Sequence, residues 1–308
     1  MARDDSVSIS TVRGEPTREG RFVHAREDRS QKVRRFLARI GNYALLLFFV
    51  LLMASPLLWM FISSIKSNQE STAWPPTLWP KSPSLGAYRD LFNVSDFGTY
   101  LRNSAIVSVA ATLGVLVISL CAAYAMSRFR FRLLRGLGEI SLFAYMIPPI
   151  LLLVPVARIV TNIGLANNLL ALVLLYTATQ LPFGLWILRS YINGIAVDLE
   201  QAAMVDGATR FRAFRDVVVP QTLPGIISTA VFTFNACWSE YLFASTLMTS
   251  PSRLTLSPGL TLLLDQTGVY SWSMLMAGSV VVVLPVIVLF IIVQKGLVSG
   301  MGEGAVKG

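Results

Sequence analysis

The sequence predicts an all-α integral membrane protein with six transmembrane helices. Of its 308 residues, 54% are hydrophobic and only 14% are charged, and long apolar runs recur along the chain. Because an α-helix rises about 1.5 Å per residue, a run of about 20 residues matches the ~30 Å hydrocarbon core of a bilayer. The predicted spans are residues 43–65, 103–126, 138–160, 169–189, 223–249 and 273–294.

The distribution of basic residues predicts the orientation of these spans. Of the 26 lysines and arginines, 20 fall in the N-terminal tail, in the segments 128–135 and 189–215, or at the C-terminal end. Because cytoplasmic loops carry an excess of Lys and Arg, we expect both termini and the loop 190–222 to be cytoplasmic. The net charge of +9 then reflects topology and contact with anionic membrane lipid, not binding to nucleic acid.

The N-terminal region divides into two parts. Residues 1–30 are polar, mixed in charge and poor in large apolar side chains, so we expect a disordered cytoplasmic tail. Apolar side chains then follow helical spacing at Val33, Phe36, Leu37 and Ile40. Basic residues occupy the opposite face, which predicts an amphipathic interfacial helix over 31–41 ahead of a transmembrane domain over 42–308.

The polar and ionisable residues argue against catalysis and ion coupling. Cys121 and Cys237 lie inside predicted spans and the single histidine, His24, lies in the tail, so we expect no disulfide, metal site or histidine-based catalysis. No phosphate-binding Gly-x-x-x-x-Gly-Lys-Ser/Thr loop occurs, so this chain is expected to bind no cofactor itself. Ion-coupled carriers hold ionisable residues deep in the membrane, whereas here only Glu240 lies well inside a span. Glu240 could lie on a solute path, make a structural hydrogen bond to a neighbouring helix, or lie near enough to the outer surface to be hydrated.

A polar stretch over residues 198–224 lies between two nearly charge-free segments. Asp198 followed by Gln201 fits a capping box, in which each side chain bonds a backbone N–H at the start of a helix. The helix would run over 199–206 and end at Gly207, because glycine tolerates the left-handed conformation common at helix C-termini.

A second short helix in this stretch would begin at Thr209 as its cap, carry two phenylalanines, and stop before Pro220. On the first helix, one face carries mostly small side chains, at Leu199, Ala202, Ala203 and Asp206. A small, smooth face of this kind lets a partner protein approach closely.

The loop contains Gln201-Ala-Ala-Met-Val-Asp-Gly207 and, after nine intervening residues, Val-Val-Val-Pro220. This pattern resembles the EAA motif of ABC importer permeases. In that family the motif forms a coupling helix that sits in a groove of the ATPase subunit and transmits its closure to the spans. The resemblance therefore implies an ATPase-coupling surface on Glu200, Gln201, Ala202, Ala203, Asp206, Gly207, Ala208, Phe211, Phe214 and Pro220. Two departures are Gln201, where the family usually has Glu, and Ala196, where sugar permeases commonly have Pro.

Other segments resemble carbohydrate permeases in the same order and spacing. They are Asn103-Ser104, Ala122-Ala-Tyr-Ala125, Met146-Ile-Pro148, Leu181-Pro-Phe183 with Trp186, and Trp238-Ser-Glu-Tyr-Leu242. Sugar sites need hydroxyl-matching polar groups and aromatic faces, so the candidate solute-path residues are Asn235, Trp238, Ser239, Glu240, Tyr241 and Asn103, with Tyr124 as a weaker candidate. The C-terminus resembles the tail of maltose-type permeases, which enters the ATPase dimer interface, and this implies ATPase contacts at Gly304, Val306 and Lys307.

The resemblance implies a type I ABC importer (MetI-like) permease fold in a bacterial or archaeal plasma membrane. Its implied partners are a second, different permease, an ATPase dimer that binds ATP and Mg²⁺, and an extracytoplasmic sugar-binding protein. The expected solute is a sugar or oligosaccharide; a polyol or a glycerol-phosphate-like solute is the alternative, and an ion-coupled carrier is the less favoured class. Tryptophans in the outer segment 67–101 could lie at the membrane interface or form a docking surface.

Overall fold

The computed structural model describes residues 18–129, 132–266 and 271–302, and every regular element in these ranges is helical. The first seven helices in chain order are α1 (Arg18–Ser64), α2 (Asn68–Ser71), α3 (Gly86–Asn93), α4 (Phe97–Arg128), α5 (Arg132–Tyr145), α6 (Pro149–Asn162) and α7 (Leu169–Asn193). They are followed by α8 (Val197–Val205), α9 (Arg210–Ala213), a π-helical segment (Phe214–Val218) and α10 (Val219–Gln221). The last elements are α11 (Leu223–Trp238), α12 (Leu242–Leu247), a 3₁₀ turn (Pro251–Arg253), α13 (Leu256–Gln266) and α14 (Trp272–Gly302).

Four helices are long and apolar enough to cross a membrane, over Arg34–Ser64, Phe97–Arg128, Leu169–Asn193 and Trp272–Gln294. A fifth is added if the bent pair Arg210–Gln221 and Leu223–Trp238 counts as one broken span. The all-helical membrane architecture predicted from the sequence is therefore confirmed. The number of six spans stays a prediction.

Two of the predicted spans are interrupted. The region predicted as 138–160 is divided between α5 and α6, with the break at Met146–Pro148. Pro148 and Pro149 have no N–H to donate, and a residue before proline disfavours the α conformation, so the helix ends there and restarts with Pro149 as its first residue. The region predicted as 223–249 is divided between α11 and α12 at residues 239–241.

The first helix starts earlier than predicted. Disorder was predicted for residues 1–30, but α1 already begins at Arg18 and continues without a break through the predicted boundary at residue 31. The stretch after residue 17 contains no proline and is rich in Arg and Glu, which are good helix formers, and this favours extension of the helix. Residues 1–17 lie outside the described part. The interfacial placement of 31–41 stays a prediction.

The chain forms two compact units, one ending at Leu58 and one covering 59–308. In the second unit, α4 packs along α7 and α11 and supplies much of the interior. At Gly184 of α7, an added Cβ would lie 2.8 Å from a methyl of Val115, 3.0 Å from the hydroxyl of Ser119 and 3.2 Å from Thr229. This glycine therefore lets α7 approach α4 and α11 closely.

Candidate functional site

The first helix of the polar loop, α8, begins two residues earlier than the sequence predicted. Its N-cap is Ala196, which provides no side-chain hydrogen bond, and Asp198 lies within the first turn. The predicted capping box of Asp198 and Gln201 is therefore wrong, because neither side chain stands at a capping position once the helix starts at Val197. Asp198 still lies near the positive end of the helix dipole, where a carboxylate is favourable.

The C-terminal end of α8 is as predicted. Gly207 has φ +93°, a left-handed conformation that L side chains rarely adopt. The N–H of Ala208 donates to the carbonyl of Ala203 at 3.0 Å, and the N–H of Gly207 donates to that of Met204 at 3.1 Å. This pair of bonds is a Schellman motif, so the glycine ends the helix and satisfies its last carbonyls.

The second arm of the loop is helical for longer than predicted. Thr209 is the cap, as expected, and its hydroxyl accepts the N–H of Arg212 at 3.3 Å. The predicted stop before Pro220 is wrong, because helical geometry continues through the π-helical segment and α10 to Gln221. The wider π turn lies just before a proline that has no N–H, and the chain then bends by 70° into α11.

The loop presents one exposed surface. Of the ten residues predicted for coupling, the exposed ones are Gln201, Ala202, Asp206, Gly207, Phe211 and Pro220. Two apolar side chains of the loop are strongly exposed: Phe211, a predicted coupling residue, is 72% exposed, and Val205 is 87% exposed. A Cβ added at Gly207 would meet nothing within 4 Å, so the centre of this surface is open to an approaching partner. We call Leu199, Gln201, Ala202, Val205, Asp206, Gly207 and Phe211 the loop surface.

The other four predicted coupling residues point inward in whole or in part. Ala203 and Ala208 are half-buried. Glu200 is 4% exposed and pairs with Arg128 at the end of α4. Phe214 is half-buried and packs against Tyr124, with ring centroids 4.6 Å apart. The Glu200 carboxylate is therefore turned away from the exposed residues of the loop and bonds within the chain.

Tyr124 and Arg128 were not predicted to belong to the loop. Tyr124 donates to the Glu200 carboxylate at 3.0 Å, and Arg128 also donates from Nη2 to the carbonyl of Ile195 at 3.1 Å. Both side chains come from α4, one helical turn apart, and lie far from the loop in sequence. The signal that could have identified them was an arginine just after one predicted span and a glutamate in the next loop on the same predicted side of the membrane.

Two predicted solute-path residues have structural roles instead. Trp238 is 4% exposed, stacks on Phe234 and donates from its indole nitrogen to the carbonyl of Val282 at 3.0 Å. Asn103 is 1% exposed and donates from its amide to the carbonyls of Ser252 at 3.0 Å and Leu254 at 2.9 Å. A buried tryptophan or asparagine needs such partners, so both side chains are occupied within the protein.

Glu240 lies at the break between α11 and α12. Its carboxylate accepts the N–H of Phe243 at 2.8 Å and of Ala244 at 3.0 Å, and it also accepts the hydroxyl of Tyr176. The two N–H groups belong to the first turn of α12, where no intrahelical acceptor exists. Of the alternatives for Glu240, these contacts support the structural hydrogen bond to a neighbouring helix.

Three predicted solute-path residues remain accessible. Asn235, Ser239 and Tyr241 are exposed, and the Ser239 hydroxyl donates to the Asn235 carbonyl at 2.7 Å within α11. Tyr124, the weaker candidate, lies beside Glu200 at the loop end of α4 instead. The tail residues Gly304, Val306 and Lys307 lie outside the described part of the chain.

Two side chains organise the opposite end of the bundle. Asn167, at φ +56°, accepts the N–H groups of Thr249 and Ser250 at 3.1 Å each and so joins the α6–α7 turn to the end of α12. Glu70 accepts the backbone N–H of Lys81 and the hydroxyl of Thr77, and these bonds lower the pKa of its carboxyl.

The long apolar helices and the polar loop with its exposed surface define a multi-pass membrane protein. The family model of the "binding-protein-dependent transport system inner membrane component" matches residues 114–302. The chain belongs to this family, and it is therefore a permease subunit of an ABC importer in the plasma membrane.

Individual relatives agree with this assignment, and a solved structure shares the fold. The chain is 35% identical over 277 residues to the inner membrane ABC transporter permease protein YcjP of Escherichia coli strain K12, which covers 89% of this chain and 99% of that protein. It is 34% identical over 283 residues to the trehalose/maltose transport system permease protein MalG of Thermococcus litoralis, covering 91% and 99%. In fold it matches a chain of a bacterial ABC transporter involved in import of the acidic polysaccharide alginate, with a TM-score of 0.72, 23% identity and coverage of 87% and 97%.

Proposed function

We propose that this chain imports a sugar or oligosaccharide and that the loop surface is where it receives the work of ATP hydrolysis. The observation that carries the proposal is the exposed face of α8 next to Gly207, whose Cβ position is open, beside the exposed Phe211. A groove of a partner ATPase subunit can approach such a face closely. ATP and Mg²⁺ would be bound by that partner, and closure of the ATPase dimer would displace α8.

The rest of the assembly follows from the family and the loop. The loop surface would face the cytoplasm, as the excess of basic residues on that side predicts. A second permease subunit would complete the solute path, to which the exposed Asn235, Ser239 and Tyr241 are the candidate contributions. An extracytoplasmic binding protein would deliver the solute to the opposite end of the bundle.

Sugar is favoured as the solute because a relative of 34% identity over nearly the whole chain is named for trehalose and maltose. The test is to purify the binding protein encoded beside this gene and to titrate it with maltose, trehalose and glycerol 3-phosphate. Saturable binding of a sugar supports the proposal. Binding of glycerol 3-phosphate alone would replace the sugar by the alternative solute class.

The coupling role is tested by Gly207→Asp in the full transporter. The variant should insert into the membrane normally but abolish uptake, since a charged side chain then occupies the centre of the loop surface. Gly164→Asp is the matched control: this glycine also has positive φ, at +74°, and also has open space around its Cβ position. Both variants place an L residue at a positive φ, which costs roughly 1–2 kcal/mol. Equal uptake in the two variants would show that the loop surface is not the coupling site.

The energy source is tested separately. Vanadate, which inhibits ABC ATPases, should stop uptake in vesicles, whereas an ionophore that collapses ion gradients should leave ATP-driven uptake intact. Uptake that is abolished by the ionophore alone would contradict ATP-driven import.

A further inference from the structure

The side chains at the two ends of α4 bind two loops that are distant from this helix in sequence. At the C-terminal end, Arg128 and Tyr124 hold Glu200 of α8, and Arg128 also holds the carbonyl of Ile195 just before α8. The ring of Tyr124 additionally packs on Phe214 of the second arm. We call Arg128, Tyr124 and Glu200 the inner clamp.

At the N-terminal end, Asn103 and Ser104 hold the segment 252–256 between α12 and α13. Asn103 donates to the carbonyls of Ser252 and Leu254, and the hydroxyl of Ser104 accepts the N–H of Leu256 at 2.7 Å. Both side chains are almost completely buried, at 1% and 2% exposed. We call Asn103, Ser104 and segment 252–256 the outer clamp.

The helix between the clamps is suited to transmit movement. α4 runs for 32 residues, which corresponds to about 48 Å, and its sequence contains no proline. In contrast, α1, α6, α7 and α14 each contain an interior proline, where the backbone hydrogen bonding is interrupted. Displacement at one end of α4 therefore reaches the other end with little loss to bending.

We propose that α4 is the transmission element of the permease: the inner clamp moves α4 with the coupling loop, and the outer clamp moves segment 252–256 with α4. This inference rests on the proposed function, because the loop must receive the movement before α4 can pass it on. Arg128 is then a positioning residue that touches neither solute nor nucleotide. The helices that flank the loop in sequence, α7 and α11, are not the only route by which its movement enters the bundle.

The inner clamp is well placed for this role because its groups are both charged and buried. The side chains of Arg128 and Glu200 are 7% and 5% exposed, and charge-assisted hydrogen bonds of this kind are stronger and more directional than neutral ones. Arg128 uses two different nitrogens for Glu200 and for the Ile195 carbonyl, so a lysine cannot reproduce both contacts. The loop therefore cannot shift relative to α4 without breaking this set of bonds.

The test measures solute uptake and ATP hydrolysis in the complete transporter, reconstituted in proteoliposomes. Arg128→Gln should lower uptake per ATP hydrolysed by about tenfold, the range typical of coupling between sites, while hydrolysis stays within about twofold. Arg102→Gln is the matched control, since Arg102 is an exposed arginine of the same helix without an ion pair among the described residues. Equal uptake ratios for the two variants, or a proportional loss of uptake and hydrolysis in Arg128→Gln, would overturn the inference.

A double variant that leaves no unpaired charge tests the inference if the transporter carrying Arg128→Gln does not assemble. Replacing both partners, as Arg128→Met with Glu200→Met, removes the polar link and leaves no buried charge, an exchange that proteins tolerate in their interiors. Assembly with the same tenfold loss of uptake per ATP supports the inference. Assembly with normal coupling contradicts it.

The outer clamp offers a matched pair of substitutions one turn apart on α4. Ser104→Ala removes the bond to the N–H of Leu256, whereas Ser108→Ala removes a buried hydroxyl that has no hydrogen-bond partner among the described residues. We expect Ser104→Ala to lower uptake per ATP about threefold and Ser108→Ala to change it little. The same effect from both would refute the role of the outer clamp.

The Gly207 variants separate failure of this inference from failure of the proposed function. If Gly207→Asp transports normally, the loop is not the coupling site and the proposed function fails. If Gly207→Asp abolishes uptake while Arg128→Gln couples normally, the proposed function stands and only transmission through α4 is wrong.

Discussion

Two glutamates lie in the regions with the clearest sequence motifs, and both point into the protein. Glu200 in the loop is held by the guanidinium of Arg128 and the hydroxyl of Tyr124. Glu240 at the helix break is held by two backbone N–H groups and the hydroxyl of Tyr176. One carboxylate joins two elements through an arginine, and the other completes the hydrogen bonding of an interrupted helix.

The surroundings of each carboxylate decide how it is used. Near the end of α4 a cation is available, so Glu200 can connect α8 to another helix. At the break between α11 and α12 the chain itself exposes N–H groups, which are expensive to leave unpaired in an apolar environment. Glu240 accepts hydrogen bonds from these N–H groups. The carboxylate of the Trp238-Ser-Glu-Tyr-Leu242 segment therefore completes the backbone hydrogen bonding of the interrupted helix.

The largest effect should come from Glu240→Ala. Three donors lose their acceptor, and each unsatisfied buried donor costs about 1–3 kcal/mol, so we expect a loss of about 3 kcal/mol or more. The measurement is thermal unfolding of the purified transporter in detergent. Ser239→Ala is the control, because this exposed neighbour bonds only within its own helix and should change stability little. Normal stability of Glu240→Ala would show that the break does not depend on this side chain.

A smaller effect is expected at the turn before α7. Asn167→Ala loses the acceptor for two N–H groups and also places alanine at φ +56°, so it should cost about 2–3 kcal/mol. Asn167→Gly keeps the backbone conformation and loses only the side-chain bonds, so it should cost about 1–2 kcal/mol. If both variants unfold at the temperature of the unchanged protein, the turn is not held by this side chain.

The backbone of the loop could be predicted largely from the sequence, but its orientation could not. Gly207 and Thr209 were identified correctly because their roles depend on local geometry that few residue types satisfy. The direction of Glu200 depends on a residue 72 positions away, Arg128, and helical spacing within α8 gives no information about this distant partner.

The start of α8 was missed for a related reason. Asp198 is a favourable cap in isolation, but packing of Glu200 and of the chain before it places the first turn earlier, at Val197. Similarly, Trp238 and Asn103 have the chemistry of a sugar site, yet buried backbone carbonyls compete for the same donors. Residue type predicted the hydrogen-bonding capacity of these side chains and not their partners.

The solute path offers a further comparison, between the buried Trp238 and the exposed Asn235. Asn235→Ala removes an exposed amide and should raise the solute concentration for half-maximal uptake about tenfold, corresponding to about 1.4 kcal/mol for one lost hydrogen bond. Trp238→Phe keeps most of the packing and removes only the bond to Val282, so that concentration should stay unchanged. The measurement is the concentration dependence of uptake in vesicles. A larger increase of the half-maximal concentration in Trp238→Phe than in Asn235→Ala would place Trp238 on the solute path.

The smallest effect should come from Gln201, which occupies the position where the family usually has glutamate. A capping box would have made Gln201→Ala harmful to α8, but with the helix starting at Val197 this side chain is exposed and makes no hydrogen bond among the described residues. We therefore expect Gln201→Ala and Gln201→Glu to change stability by less than about 0.5 kcal/mol, whereas Asp198→Ala should cost about 0.3–1 kcal/mol through the helix dipole. Thermal unfolding measures all three. A loss of uptake in Gln201→Ala at normal stability would then locate its role on the loop surface, in contact with the ATPase and separate from the inward-facing Glu200 beside it.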